Sequence, residues 1–385
     1  MKVAVVHSYY SSRQSSGENV VVDAQVAAMR EFGLDVEVIA ARTDDLEQAP
    51  GYASRAALRV ATGRGGSPLE QIEAINPDVV HVHNLFPNWG TQWLSKWERP
   101  IVATVHNFRP VCAAGTLFRD GKVCTACPDS SALRAIQHAC YRGSRVATLP
   151  LAVKSRGGVS GDRLLSRADR VILLTARARG LYEGFGLEPQ KIEVIPNFVR
   201  DLGAVTEAPG RPGWAYTGRL SAEKGILNLV RHWPAMESLD VYGDGPLRGE
   251  LEVLAKAHGK VTIHGSISHS EVPQALANAR GLVFPSECPE GGVPQSYVEA
   301  LSAGRMVVAL GGSSAADDLI EAGAGVVFAT WDELGQALDE AFQNVGIFSR
   351  RAREHYLANY RASTFLERMA ALYDTMVDQS RSSHA

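Results

Sequence analysis

Two groups of residues in this chain have types and spacings suited to chemistry. The first pairs cations with carboxylates. Arg219 and Lys224 lie five positions apart in Tyr216-Thr-Gly-Arg-Leu-Ser-Ala-Glu-Lys-Gly225. A diphosphate carries more charge than a helix N-terminus can neutralise, so two cations on a strand-to-helix loop suit it. Two solvated basic residues are the plainer reading. Further on, Glu290 and Glu299 flank Gly291, Gly292, Val293 and Pro294. Glycines free loop amides to face an anion. Pro294 suits the first turn of a helix and Gly304 its end. Glu299 then stands one turn inside, where a carboxylate can accept two ribose hydroxyls. Otherwise it is a partner for the helix dipole or a surface charge. Gly243, in Tyr242-Gly-Asp-Gly-Pro-Leu-Arg248, permits a tight turn or a close ligand approach.

The second group is thiol chemistry. Cys112, Cys124, Cys127 and Cys140 form C-x11-C-x2-C-x12-C, and Cys288 stands apart. The central pair has zinc-knuckle spacing. Four thiolates close a tetrahedral site, so the metal would be structural rather than catalytic. Asp120-Gly121 predicts a hairpin that brings Cys112 toward the pair. Free half-buried thiols and disulfides are alternatives, and His138 is a substitute ligand.

Alternating elements must position these residues. Short β-branched runs at 2–7, 36–39, 79–83, 101–106, 171–174 and 193–195 alternate with amphipathic stretches. The pattern repeats with runs at 215–217, 240–242, 261–263, 282–284, 306–309 and 326–328. Such alternation predicts an α/β chain with two doubly wound parallel sheets. The Gly- and Pro-rich stretch 201–213 marks the change of domain. The expected division is 1–198, with a Cys-rich insertion at 108–145, then 199–363, then a helix and tail at 364–385 that packs back on the first domain. Ligands of such sheets sit beyond the carboxyl ends of the strands, and a cleft is expected between the two domains.

Length and composition bound the rest. The 385 residues exceed what one core usually supports. The formal net charge of -3 implies no bulk attraction to nucleic acid. Val3 to Val6 is too short for a signal-peptide core, and no stretch suffices to span a bilayer. A cytoplasmic protein is expected, at the inner face of the membrane if the basic residues Arg134, Arg142, Arg145, Lys154 and Arg156 meet anionic lipid. Asn88, Trp89 and Trp93 offer polar and aromatic groups to a sugar acceptor, although such aromatics are more often buried.

Taken together, the Gly-Arg-Leu and Glu-Lys-Gly stretch, the Tyr242 motif and the two glutamates ending in Glu299-Ala300 resemble family 4 of the retaining glycosyltransferases with the GT-B fold. His83-Asn84, His106-Asn107 and Ile195-Pro196-Asn197 extend the resemblance over nearly the whole chain. It implies two Rossmann-like domains, the first binding the acceptor and the second a nucleotide-diphosphate sugar of UDP or GDP type. Arg219 and Lys224 would hold the diphosphate, Glu299 the ribose, and Glu290 the donor-sugar hydroxyls. Amides near Gly291, Gly292 and Val293 would help. His106 would lie near the donor sugar, Gly17 near the phosphates, and His264, Ser266 and Ile267 near the base, largely through backbone. The acceptor would be a sugar, a lipid-linked molecule or a small molecule. No catalytic metal and no nucleic acid are expected. Two departures stand out: Glu290 and Glu299 are one residue further apart than in the family, leaving Glu287 as a second candidate, and Ser16 replaces a glycine before Gly17. A nucleotide-sugar epimerase on the same fold and a non-catalytic binding protein using the cysteine module are the alternative functions.

Overall fold

The computed structural model describes residues 1–13, 17–204, 213–268 and 270–383. Ser16 and much of the 201–213 stretch lie outside them. The chain divides into two compact units. Met1–Leu117, Cys124–Ile195 and Leu366–Ala385 form the first, and Phe118–Val123 with Pro196–Phe365 form the second.

Strands β1 (Lys2–Tyr9), β2 (Asp35–Arg42), β3 (Val79–Asn84) and β4 (Ile101–Val105) open the chain. A hairpin of β5 (Phe118–Arg119) and β6 (Lys122–Val123) follows, then β7 (Arg170–Leu173) and β8 (Ile192–Val194). Asp120 and Gly121 turn the hairpin, both with positive φ as a two-residue I′ loop requires. The first unit's sheet runs β2-β1-β3-β4-β7-β8, and every pair in it is parallel. Residues Ile101 to Val105 are all buried, and so is β1 from Val3 onward. Continuous apolar runs are what a sheet covered on both faces demands.

Helix α1 (Gly17–Glu31) buries Val22, Val26 and Met29, spaced three to four apart on one face. Helices α2 (Tyr52–Thr62), α3 (Leu133–Gln137) and α4 (Arg145–Ser155) pack together, α2 and α3 both against α4. Trp93 is 2% exposed, and its Nε1 donates to Gly90 O at 3.0 Å. Asn88 is as enclosed, bonded to Thr43 and Tyr52. Both therefore serve the core, and neither offers itself to an acceptor.

The second unit's strands are β9 (Trp214–Thr217), β10 (Leu239–Tyr242), β11 (Val261–Gly265), β12 (Gly281–Phe284), β13 (Met306–Leu310) and β14 (Gly325–Phe328). Their order is β11-β10-β9-β12-β13-β14, again parallel. Val283 and Val308 join one core cluster, while Leu282, Phe284, Val307 and Ala309 join another. Side chains alternate along a strand, so the two clusters cover opposite faces. Helices α5 (Ile226–Arg231), α6 (Gln295–Ser302) and α7 (Val345–Asn359) lie in this unit, and α8 (Ala362–Ser383) ends the chain. Phe365 packs on Phe198 in the second unit, whereas Tyr373, further along α8, bonds His81 in the first.

Each sheet has a point where the chain, having built outward on one side, returns to build on the other. It falls between β1 and β3 in the first unit and between β9 and β12 in the second. Loops at the carboxyl ends of such strands diverge and leave room for a ligand.

Candidate active site

The second unit's switch point carries the charged residues. After β9 the hydroxyl of Tyr216 donates to Arg219 O at 2.8 Å, pinning the loop. A short turn at Ala222–Lys224 ends at Gly225, whose φ is +66°. A Cβ there would stand 1.9 Å from Pro285 O, so only glycine lets this loop lie against the loop after β12. That approach brings Lys224 Nζ within 2.7 and 3.0 Å of the two carboxylate oxygens of Glu290. Ser286 donates to the same carboxylate at 2.5 Å. Burial opposes the Lys224 ammonium, but the adjacent Glu290 outweighs it and the pKa is pushed up to about 12.

The structure separates Glu290 from its rival. Glu287 accepts from Asn228 at 2.7 Å and its amide donates to Glu223 O, so Glu290 is the carboxylate facing Lys224. Glu290 adopts a φ of +56°, an uncommon conformation for a non-glycine residue. Gly291, Gly292 and Val293 then lead, half-buried, to Pro294. Pro294 is extended (φ -62°, ψ 143°) and stands just before α6 rather than in its first turn, and no side chain caps that end. The helix stops at Gly304, whose φ is +66°. Glu299 is 4% exposed, and burial pushes its carboxyl up to about 7. It is therefore no surface charge.

Gly243 lies at the end of β10. A Cβ there would fall 1.8 Å from Gly218 O, so the neighbouring backbone already explains the missing side chain. His264, on β11, donates from Nε2 to the Asp240 carboxylate at 2.7 Å and stacks on Tyr242, ring centroids 4.6 Å apart. Ser266 and Ile267 follow in the loop after β11, two strands away from the Arg219–Lys224 loop. Arg219 is exposed and has no ion pair among the described residues.

The first unit's switch point gathers imidazoles. His7 lies near the end of β1, His81 and His83 lie on β3, and His106 follows β4. His83 Nδ1 and His106 Nε2 are 3.0 Å apart with stacked rings. His81 bonds Thr104 at 2.7 Å and Tyr373 at 2.6 Å. Burial lowers all four: His7 to about 4, His81 and His106 to about 3, and His83 well below its ordinary value. All are neutral near pH 7. Their tautomers follow from the neighbours. Tyr10 N donates to Asn19 Oδ1, and Asn19 Nδ2 donates to Tyr10 O, which fixes the Asn19 amide. His7 Nε2 must therefore donate to Asn19 Oδ1. His83 Nε2 is buried with no partner among the described residues. An unmet lone pair costs less than an unmet N–H, which puts the His83 proton on Nδ1. His106 Nε2 then accepts it, and His106 carries its own proton on Nδ1.

Gly17 is exposed at the start of α1, and Glu18 follows. Asn107 donates to Glu18 Oε2 at 3.2 Å. Burial pushes the Glu18 carboxyl up to about 7, against the pull of Arg109. The sequence singled out neither Glu18 nor Ser286, His7 and His81. The alternation Val-His-Val-His at 80–83 was the available signal, but only strand pairing sets it beside His7 and Thr104.

The cysteines do not meet the expected arrangement. No disulfide joins any of the four. Burial, followed by Cys112 and Cys140, pushes the Cys127 thiol up to about 11. Among the described residues, however, no three His, Cys, Asp or Glu side chains are placed to hold a metal ion. In this side-chain arrangement the thiols do not fit a closed zinc site, and no step of the chemistry passes through one. Cys288 is buried beside Ser286 at 3.5 Å. No helix among the described residues is long and apolar enough to cross a membrane.

Residues 15–201 match the model of Glycosyltransferase Family 4, and residues 211–344 that of Glycosyl transferases group 1. A curated relative, the alpha-D-kanosaminyltransferase of Streptomyces kanamyceticus, is 28% identical over 204 residues. That alignment covers 50% of this chain and 48% of the relative, so the chain matches about half the relative's length. Sucrose-phosphate synthase from Thermosynechococcus elongatus superposes with a TM-score of 0.70 at 16% identity, over 98% of this chain and 99% of that one. The catalytic domain of starch synthase IV from Arabidopsis thaliana, solved with ADP and acarbose, gives 0.68 at 15% identity over 98% and 99%. Anabaena HepE, solved with UDP-glucose, gives 0.62 at 15% identity over 97% and 100%. Two glycosyltransferase models thus match successive parts of the chain, whose paired parallel sheets give it the GT-B fold of glycosyltransferases.

Proposed function

We propose that this protein is a retaining glycosyltransferase that moves a sugar from a nucleotide-diphosphate donor to an acceptor hydroxyl. The observation that carries the reading is the Lys224–Glu290 pair at the second unit's switch point, 2.7 Å apart, with Glu299 buried in α6. Such a pair is a latent diphosphate site. A donor phosphate replaces Glu290 as the partner of Lys224, and the freed carboxylate accepts sugar hydroxyls. Arg219 adds a second cation from the same loop. Glu299 takes the ribose, and the uncapped amides of α6 face negative charge. Gly291, Gly292 and Val293 supply further amides, and His264, Ser266 and Ile267 the base contacts. UDP is the nucleotide we favour, because HepE is solved with UDP-glucose.

Catalysis must stabilise an oxocarbenium-like sugar and a departing diphosphate, and preorganised cations do the second. The acceptor hydroxyl attacks from the leaving-group face and passes its proton to a diphosphate oxygen, so no protein base is assigned. Metal-independent transfer follows from this assignment of charge. The first unit holds the acceptor, a sugar, lipid-linked or small molecule, and contributes His106 and Gly17. Cell-surface polysaccharide or glycolipid assembly at the inner face of the membrane is the setting we propose.

Arg219→Ala and Lys224→Ala should each lower donor turnover by about 10²–10³-fold while leaving circular dichroism unchanged. Transfer at wild-type rates by both variants sinks the assignment. A structural zinc at Cys112, Cys124, Cys127 and Cys140 is a separate proposal, supported by their spacing in the sequence and not by their placement here. Elemental analysis of the purified protein tests it: about one zinc per chain supports it, and four titratable thiols without zinc remove it.

A further inference from the structure

We infer that the helix Ser314–Ala322 of the second unit fixes Glu290 and Glu299 relative to each other, and that Ser314 and Tyr297 are the positioning residues through which it acts. The inference rests on the donor roles proposed for the two glutamates and deepens them.

The loop after β12 needs such a hold. Glu290 and Glu299 stand one residue further apart than in the family that the sequence resembles. A longer loop gives its carboxylate more positions to occupy. Glu290 also sits in the left-handed region, at a φ of +56°. A non-glycine residue persists there only where its surroundings over-determine it. Its side chain is held by Lys224 and Ser286. On the proposed function a donor phosphate takes Lys224 away, so that hold weakens when the carboxylate is needed.

The backbone hold does not depend on Lys224. Ser314 is 2% exposed, and its hydroxyl donates to Pro289 O at 2.9 Å and approaches Glu290 O at 3.3 Å. Its amide donates to Pro289 O at 3.2 Å. A serine at a helix start commonly serves the helix's own amides. Here Ser313 is the cap, accepting from Ala316 N at 3.2 Å, and Ser314 is turned on the loop instead.

The same helix holds α6. Asp318 lies four residues after Ser314, one turn on and on the same face. Its carboxylate accepts from Tyr297 Oη at 2.7 Å, from Tyr360 Oη at 2.5 Å and from His355 Nε2 at 3.1 Å. Tyr297 is fully buried and stands two residues before Glu299 in α6. One helix thus grips the loop that carries Glu290 and, a turn later, the helix that carries Glu299. The sugar and the ribose of one donor are joined through its diphosphate, so carboxylates that address both must be held at a matching separation.

The test splits the two contacts. Ser314→Ala removes the hydroxyl and keeps the amide bond to Pro289. It should raise the Kd of UDP-glucose by about tenfold and leave that of UDP within about twofold, measured by calorimetry on the full chain. Tyr297→Phe keeps the ring and leaves Asp318 its bonds to Tyr360 and His355. It should raise both values by the same factor, because UDP and UDP-glucose share the ribose. Cys288, buried on the same loop, reports the hold without a ligand. Its labelling by N-ethylmaleimide, followed by peptide mass, should quicken by about tenfold in Ser314→Ala and stay unchanged in Tyr297→Phe. Unchanged Cys288 labelling in Ser314→Ala would overturn the inference. So would equal losses of UDP and UDP-glucose in that variant, which is what a merely structural serine would give. If the wild type binds neither nucleotide while labelling still quickens, the donor reading fails and the hold on Glu290 is supported.

Discussion

The two sheets place their polar residues alike and furnish them differently. In both, the functional candidates cluster where the strand order reverses. At the second unit's switch point the groups are ionic, with Lys224 against Glu290 and Arg219 nearby. At the first unit's, burial holds four imidazoles neutral. The difference teaches what each point can bind. A diphosphate needs fixed cations, and a loop end can hold them because the loops leave the sheet. On the function we propose, a neutral acceptor needs hydrogen-bonding groups whose proton positions are set, and the stacked His83 and His106 would provide them.

The largest expected effect tests whether the first unit's aromatics are core. Trp93→Ala should cost about 3–5 kcal/mol, read as a lower denaturation midpoint. A small loss together with weakened acceptor binding would return Trp93 to the site. Next comes the ionic switch point. If Lys224 meets the departing diphosphate as we propose, Lys224→Ala should reduce kcat/KM by about 10²–10³-fold. His106→Ala should cost less if the imidazoles only position the sugar.

Acidification distinguishes the units without mutation. His7 and His81 are neutral when folded and take a proton when unfolded below about pH 6.5. Their folded values are lowered, so the stability they allow is full above pH 6.5 and is lost as pH falls toward about 4 and about 3. Each proton taken up on unfolding should remove about 1.4 kcal/mol per pH unit. Glu299 works in the opposite direction. Its carboxyl is raised to about 7, so acidification relieves a penalty in the second unit. Hydrogen exchange between pH 7 and pH 5 should show β1 and β3 losing protection while α6 keeps its own. Equal losses would break the comparison. The smallest effect concerns Glu299 itself. Glu299→Gln keeps the volume and should weaken nucleotide binding by about tenfold, measured by calorimetry.

Much of this was legible in the residues. The β-branched runs alternating with helical faces specify parallel sheets, because a strand buried on both sides has no polar face to hide. Gly225 and Gly304 mark a loop and a helix end because their backbone turns exclude a Cβ or strain it. Arg219, Lys224, Glu290 and Glu299 stood out as candidates because few other residue types can meet phosphate and sugar. What the sequence left open were choices between near-equals. Glu287 and Glu290 are both carboxylates on one loop, and only the fold hands one to Asn228 and the other to Lys224.

Local pattern determined the elements, their alternation and the kinds of group available for binding, because periodicity and backbone preference act over neighbouring residues. The tertiary structure alone decided which groups meet and in what charge state. His7 on β1, His81 and His83 on β3 and His106 just after β4 are spread over the first 106 residues, and strand pairing makes them one cluster. Their neutrality, like the raised carboxyl of Glu299, comes from burial among distant parts of the chain. The cysteines show the same limit from the other side. Their spacing suited a metal, yet the described backbone and side chains place no three ligands together, because spacing constrains reach while packing sets direction.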